Sequence, residues 1–326
     1  MMDGFLGLGP AVGVEVGNGV LRAAALRRRR GSCVLEATAS AALPPGLVLD
    51  SFTAPNITDV AAFVGALKRL SSSLGHRGKT VGVALPDYVS RVSVLDFDSF
   101  QGNHEEAERM IRWRLKKVSP FDVEQAALRY QHLGRFTSEG KDQHRVLVSI
   151  IKSDILAQYE AAFKAAGLRP RFMGLSSFLL WNFFRDAVLK EAGPGAGFAL
   201  MNIFGGKLSV MIFDGGAPRF MRLKDLGKQD QGVSGEGQLG ITMVLKELDA
   251  SLTFYKENYS DTRVSRVYMG GDHTGLGGMA EEVNRSTDMK AEVLDLGKVA
   301  QAPVSASRPA GGLLAYSAAC GAAVEG

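Results

Sequence analysis

The stretch Phe198-Ala199-Leu200-Met201-Asn202-Ile203-Phe204-Gly205-Gly206-Lys207-Leu208-Ser209-Val210 repeats a pattern first written in Gly13-Val14-Glu15-Val16-Gly17-Asn18-Gly19-Val20-Leu21. In each, a buried apolar strand ends on one polar residue, a Gly-bearing turn exposes backbone N–H groups, and a second strand returns with alternating side chains. The repeat predicts two lobes built alike. Two such hairpins facing each other form a cradle for a polyphosphate. Its metal-binding end requires Asp, whose short carboxylate holds Mg²⁺ or its water. The two positions here are Glu15 and Asn202.

Composition bounds the rest. With 326 residues the chain is long enough for two domains that bury their own cores. Lys plus Arg number 38 against 34 Asp plus Glu, a surplus of +4 too small to imply nucleic acid. The one basic run, Arg27 to Arg30 before Gly31, reads as a solvated turn. The two cysteines, Cys33 and Cys320, lack metal-like spacing and favour a reducing compartment, hence the cytosol. Met1 to Phe5 carries no basic leader, and no apolar run approaches the roughly 20 residues of a membrane span. Any membrane association is expected to be borrowed.

Along the chain, Val12 to Leu26 and Ser32 to Leu43 alternate as successive strands until Pro44-Pro45-Gly46. Thr58 or Asp59 caps a helix with Val60, Phe63, Val64, Leu67 and Leu70 inward, ending at Gly75. Val81 to Leu85 and Arg91 to Phe97 read as strands. A helix capped by Asn103, with Glu106 closing a capping box, ends by Pro120. Ala126 to Leu133 and His144 to Ile151 form a hairpin. Ser153 or Asp154 caps a helix ended by Gly167, Arg169 to Met173 is a short strand, and Ser176 to Leu189 an apolar helix whose serines cap it. Gly193-Pro194-Gly195 marks a domain boundary. Beyond it come the second hairpin, a flexible stretch from Lys228 to Gly237, a long helix through Ile241 to Tyr255, the strand Val264 to Gly271, and a small-residue helix from Leu313 to Val324.

Rival chemistries fail on context. Gly78-Lys79-Thr80 ends like a P-loop, but Ser73 stands where glycine is needed and the helix precedes the strand. Gly17-Asn18-Gly19 opens a strand, not the helix of a dinucleotide fingerprint. His76, His104, His132, His144 and His273 lack metal-ligand spacing, and Ser176-Ser177 lacks the last glycine of a nucleophile elbow.

Met110 to Leu133, written Met-Ile-Arg-Trp-Arg-Leu-Lys-Lys-Val-Ser-Pro-Phe-Asp-Val-Glu-Gln-Ala-Ala-Leu-Arg-Tyr-Gln-His-Leu, resembles the helix–Pro-Phe–strand block of the PilM family of type IV pilus assembly proteins. Leu245 to Tyr255 resembles that family's second-lobe helix, and Gly270-Gly271 sits where its adenosine-side turn lies. The resemblance spans about Gly13 to Ala323. It implies an α/β, actin-like, two-lobed fold shared with FtsA. The expected divisions are residues 1–195 for the first lobe with a subdomain inserted at about 80–170, 196–303 for the second lobe, and a C-terminal helix, 304–326, returning to the first.

The resemblance also implies a nucleotide site at Glu15, Gly17, Asn18, Gly19, Asn202, Phe204, Gly205, Gly206, Lys246, Glu247, Gly270, Gly271 and Asp272. Here the chain departs from the family's Asp-Ile-Gly turns. Glu15 lengthens the first carboxylate, Asn202 removes the second, Phe204 puts a ring where glycine admits phosphate, and Asp272 adds repelling charge. The expectation is a degenerate site with no catalytic residues and no metal ligand, binding ATP or ADP with Mg weakly if at all. The expected function is a cytoplasmic scaffold of type IV pilus or related type II secretion assembly, peripheral to the inner membrane. Its expected partner is a PilN-like membrane protein, whose cytoplasmic N-terminal peptide docks between first lobe and subdomain against Leu85, Pro86, Val118, Pro120, Phe121 and Tyr130. Phe121 is expected to dominate, and homo-oligomers are possible partners too. The competing class is an active ATPase or kinase in which Glu15 holds Mg²⁺ and Lys246 or Glu247 contacts the ribose.

Overall fold

Strands β1 (Ala11–Val16) and β2 (Val20–Arg29) close the first hairpin through a turn in which Gly17 N–H donates to Val20 O at 2.9 Å and Gly19 takes φ 82°. The computed structural model describes residues 11–17, 19–29, 32–75, 78–100, 103–138, 140–227, 236–258, 262–301 and 312–325. Asn18 and His76 lie outside them. The basic run is not a turn. Arg27, Arg28 and Arg29 complete β2, laddered onto β3 (Ser32–Ala42), because cross-strand Glu36 pairs with Arg27; Arg30 lies outside the described residues. Helix α1 (Val60–Leu74) starts on Asp59, which accepts from Ala62 N–H, and ends on left-handed Gly75. It buries Phe63, Leu67 and Leu70 against the sheet that β4 (Thr80–Leu85) extends parallel to β1.

An inserted layer follows. Strands β5 (Arg91–Phe97), β6 (Ala126–Ser138) and β7 (Lys141–Lys152) form a three-stranded antiparallel sheet in the order β5-β7-β6. Helix α2 (His104–Lys116) packs Ile111 and Leu115 onto it with Val123, Leu128, Val146, Val148 and Ile150. Asn103 caps α2 by accepting from Glu106 N–H. Helix α3 (Ser153–Ala165) departs from expectation at its start. Ser153 is already helical, Lys152 stands at the cap position without a side-chain bond, and Asp154 binds the adjacent Ile155 N–H and Lys152 instead. Strand β8 (Arg169–Leu175) joins β4, and helix α4 (Ser176–Ala192) crosses to the second lobe.

That lobe is a five-stranded sheet of β9 (Gly197–Phe204), β10 (Lys207–Asp214), β11 (Ala217–Asp225), β12 (Val264–Gly271) and β13 (Lys290–Val293), ordered β11-β10-β9-β12-β13. Helices α5 (Glu236–Asn258) and α6 (Leu276–Ser286) cover one face. Of the stretch expected to be flexible, 228–235 lies outside the described residues and Glu236-Gly237 open α5. Strand β14 (Ala300–Gln301) returns to pair with β3, giving the first sheet the order β14-β3-β2-β1-β4-β8. A 3-10 turn at Leu313–Tyr316 precedes helix α7 (Ser317–Glu325). Its small residues let it lie on the first sheet with no room for side chains between. A Cβ on Gly13 would meet Ala319 O at 1.8 Å, and one on Gly82 would meet Ala322 O at 2.0 Å. Around α4 and α7 one apolar cluster spans both lobes, with Phe198 and Phe213 from the second and Ala24, Leu35 and Ala84 from the first, and Trp181 of α4 between them.

Candidate functional site: the interlobe cleft and its groove

The two hairpins face each other across the lobes, and the space between them is filled by the chain's own side chains. Phe204, the last residue of β9, lays its ring on Gly17, so that a Cβ on Gly17 would come within 2.6 Å of Phe204 Cζ. The first turn is thus open to a ring only because it has no side chain. Arg22, directly across the hairpin from Glu15, reaches over the same ring at 5.2 Å and donates to Asp272 Oδ2 at 2.9 Å. Asp272 Oδ1 in turn accepts from Gly205 N–H at 3.1 Å. This corrects the expected role of Asp272. It is no free negative charge repelling an anion; it is paired, and it occupies an N–H of the second turn. Gly271 is held at φ 119°, where a Cβ would strike Ile203 O at 2.0 Å, so glycine is obligatory there.

A second, wholly buried network lies behind the ring. Asp87 Oδ1 accepts from Ser177 N–H at 3.0 Å, and its Oδ2 accepts from Ser209 Oγ at 2.6 Å and from Ser177 Oγ. Asn202 Nδ2 donates to Ser177 Oγ at 3.0 Å. Burial raises the Asp87 carboxyl above its ordinary range despite these donors. Ser176 Oγ donates to Glu15 Oε1 at 2.6 Å. Ser176 and Ser177 are therefore not caps, since Leu175 holds that position, but first-turn residues of α4, of which Ser176 binds Glu15 and Ser177 ties Asp87 to Asn202 of the second lobe. Glu15 is 1 % exposed, and burial pushes its carboxyl up to about 8 against the opposing pull of Arg22 and the Ser176 hydrogen bond. Near neutral pH it holds a proton.

Glu15 Oε1 already accepts from Ser176, Glu15 Oε2 and Asn202 Oδ1 are buried without hydrogen-bond partners, and Phe204 occupies the gap between the turns. Lys246 is exposed, and Glu247 faces Arg222 at 3.8 Å and Lys224 at 3.5 Å on β11. Gly206, at φ 76°, shapes the second turn, and Gly270 packs near Leu180.

Beside the filled cleft runs an open groove of about 400 Å³ where three bodies meet. The first lobe supplies Asp50 and Phe52, the inserted layer Ser90, Arg91 and Val92, and the second lobe Lys207, Met221, Leu223 and Asp225. Lys207 Nζ binds Asp50 at 2.6 Å and also Asp225, and so links the lobes at the groove floor. The groove's inner end shares Asp87, Tyr88, Lys207 and Leu223 with a small cavity that Pro86 and Phe204 also line. Of the expected peptide contacts, Pro86 alone lines these spaces. Leu85 is 3 % exposed inside the first-lobe core, which corrects its expected place on a groove wall. Phe121 is half-buried against the inserted layer's core, and Tyr130 is stacked on His104 and hydrogen-bonded to its Nδ1 at 2.9 Å. Val118 and Pro120 are exposed, and Val118 O accepts from the groove residue Arg91 at 2.7 Å.

Sequence reading missed Arg22, Asp87, Ser209 and Lys207. Arg22 had a signal, a charge at an inward position between Leu21 and Ala23 of a buried strand; Asp87, after Pro86 at a strand end, had a weaker one.

The family model of the type IV pilus assembly protein PilM matches residues 13–232. Among solved structures, the PilM-PilN type IV pilus biogenesis complex is similar at TM-score 0.82 and 20 % identity, covering 97 % of this chain and 98 % of that one. The ethanolamine utilization protein EutJ of Carboxydothermus hydrogenoformans follows at TM-score 0.51 and 12 % identity, covering 98 % and 91 %. The cytoplasmic domain of EpsL, an inner membrane component of the type II secretion system of Vibrio cholerae, stands at TM-score 0.50 and 10 % identity, covering 97 % and 94 %. No curated protein matched the sequence.

Proposed function

Because the chain belongs to the PilM family of type IV pilus assembly proteins, we propose that it is an actin-like scaffold of the inner-membrane assembly that binds a peptide and does not turn over nucleotide. The observation that carries this reading is the contrast between neighbours: the interlobe cleft is filled by Phe204, Arg22 and Asp272, while the groove beside it is open. The peptide is the cytoplasmic N-terminal tail of a PilN-like membrane protein. Support for that partner comes from the solved PilM-PilN complex, whose fold this chain shares along its length. The apolar residues Phe52, Val92, Met221 and Leu223 offer seats for alternate side chains, and Asp50 and Asp225 offer charge to a basic segment. No helix among the described residues is long and apolar enough to cross a membrane, so the tail's owner would supply the span. The lobe limits proposed from the sequence, 1–195, 196–303 and 304–326, belong to the same reading.

The test is paired. A synthetic cytoplasmic tail of a PilN-like protein should bind the full chain in anisotropy titration, and Leu223→Glu should weaken it at least tenfold. Calorimetry with Mg-ATP should show no submicromolar binding. Tight ATP binding with steady phosphate release would replace the scaffold by an ATPase.

A further inference from the structure

Helix α2 buries Ala107, Ile111 and Leu115 and leaves another face exposed among the described residues. Arg109, Trp113, Lys116 and Lys117, at i, i+4, i+7 and i+8, form one exposed stripe, and Arg114 is exposed beside it. Trp113 is 63 % exposed and Val118, just past the helix, 54 %. Lys117 Nζ lies 4.7 Å from the indole centroid, so ring and cation are presented together. The charge is not neutralised from within. Arg112 is drawn inward to Glu108 and to the carbonyls of Val123 and Ala126, but among the described residues no ion pair engages Arg109, Arg114, Lys116 or Lys117. The exposed carboxylates Glu105 and Glu106 lie in the first turn, four and three residues before Arg109 on the same face, so the uncompensated charge is that of Arg114, Lys116 and Lys117 at the C-terminal half, and Asp122 and Glu124 follow Pro120.

A groove on another protein would need apolar anchors at i, i+3, i+4 and i+7, and the stripe has only one. An exposed indole with Lys117 over its ring and further cations along the same stripe matches a different surface. Trp settles at the headgroup level of a bilayer, and Lys and Arg near anionic lipid gain about 1 kcal/mol each. We infer that the α2 stripe docks on the anionic face of a phospholipid bilayer, with Trp113 at headgroup depth and Arg109, Arg114, Lys116 and Lys117 over lipid phosphates. Its C-terminal end borders the groove through the Arg91–Val118 hydrogen bond, so a membrane protein's tail and the lipid would be met on one side. The lipid contact itself rests on α2 alone and not on the peptide reading.

The experiment is flotation of the full chain with vesicles of phosphatidylcholine alone or with about a third phosphatidylglycerol. Binding is expected to the anionic vesicles only, to weaken with added salt, and to fall about 25-fold or more in Lys116→Glu/Lys117→Glu, since each removed cation is worth roughly fivefold. Lipids brominated near the headgroup should quench Trp113, because the other tryptophan, Trp181, is buried. Circular dichroism confirms that the variant is folded. Failure to bind anionic vesicles, which is the outcome if an acidic protein segment is the true occupant, overturns the inference. So does binding that survives charge reversal, or that leaves Trp113 unquenched.

Discussion

Glu15 faces Arg22 across the first hairpin and still holds a proton near neutrality, since burial outweighs the guanidinium. Its folded value, about 8, stands above the ordinary 4.5. Between those values the folded chain keeps a proton that the unfolded chain has released. Stability is therefore greatest below about 4.5, declines as pH rises through the window, and levels off above 8. Glu15→Gln keeps the group neutral at every pH. Urea titrations should find variant and parent alike near pH 5, and the variant more stable by on the order of 3 kcal/mol at pH 8.5. Parallel pH curves would mean that Glu15 is ionised when folded. Asp272 gives the complementary case. Asp272→Gly strands Arg22, whose Nη1 already lacks a partner, and should cost about 3 kcal/mol in thermal melting. Adding Arg22→Leu should return most of that loss. Hence a nucleotide site rebuilt with Glu15→Asp, Asn202→Asp, Phe204→Gly and Asp272→Gly also requires a change at Arg22.

At the scale of elements, the hairpins, α1 and β12 were legible because each carries its own period and its own punctuation, whereas β11 and β13 of the second sheet were not assigned. Asp59, Asn103, Gly75 and Gly167 mark ends with chemistry that acts within a few residues. What failed was long-range. Ser176 and Ser177 resemble caps in sequence, but their partners are Glu15 and Asp87, 161 and 90 residues away. The arginine run resembles a turn until Glu36 in the next strand is placed opposite Arg27. Phe121 shows the same ambiguity, for Pro120-Phe121 after a basic helix reads equally as an anchor or as a plug. Its ring packs against the core formed by Ile111, Leu115 and Val123. Phe121→Ala is accordingly expected to destabilise the chain by about 2 kcal/mol while leaving tail affinity within twofold in the folded protein. Melting and anisotropy on the one variant check it, and a large affinity loss without a stability loss would return Phe121 to the binding site.

Across the whole molecule, the filled cleft and the open groove are two ends of one space. Asp87, Tyr88, Lys207 and Leu223 line both, and two polar links between the lobes pass through them, Ser209 to Asp87 and Asp50 to Lys207, in addition to the Arg22–Asp272 pair. A tail seated against these residues gains most when the lobes hold this relative position, so binding and closure must favour each other by the same factor. Phe204 is the clean probe, because it braces the turns but lines only the inner cavity. Phe204→Ala removes the ring from Gly17 and leaves the groove walls untouched. Amide exchange should then quicken in the turn at Gly205 and Gly206 and at the start of α4, and tail affinity should fall about three- to tenfold, within the usual range of coupling between sites. Reciprocally, added tail should slow exchange at the same amides in the parent chain. Unchanged affinity in a folded Phe204→Ala protein, with exchange in the turn raised as expected, would show that cleft and groove act independently and that the filled cleft serves stability alone.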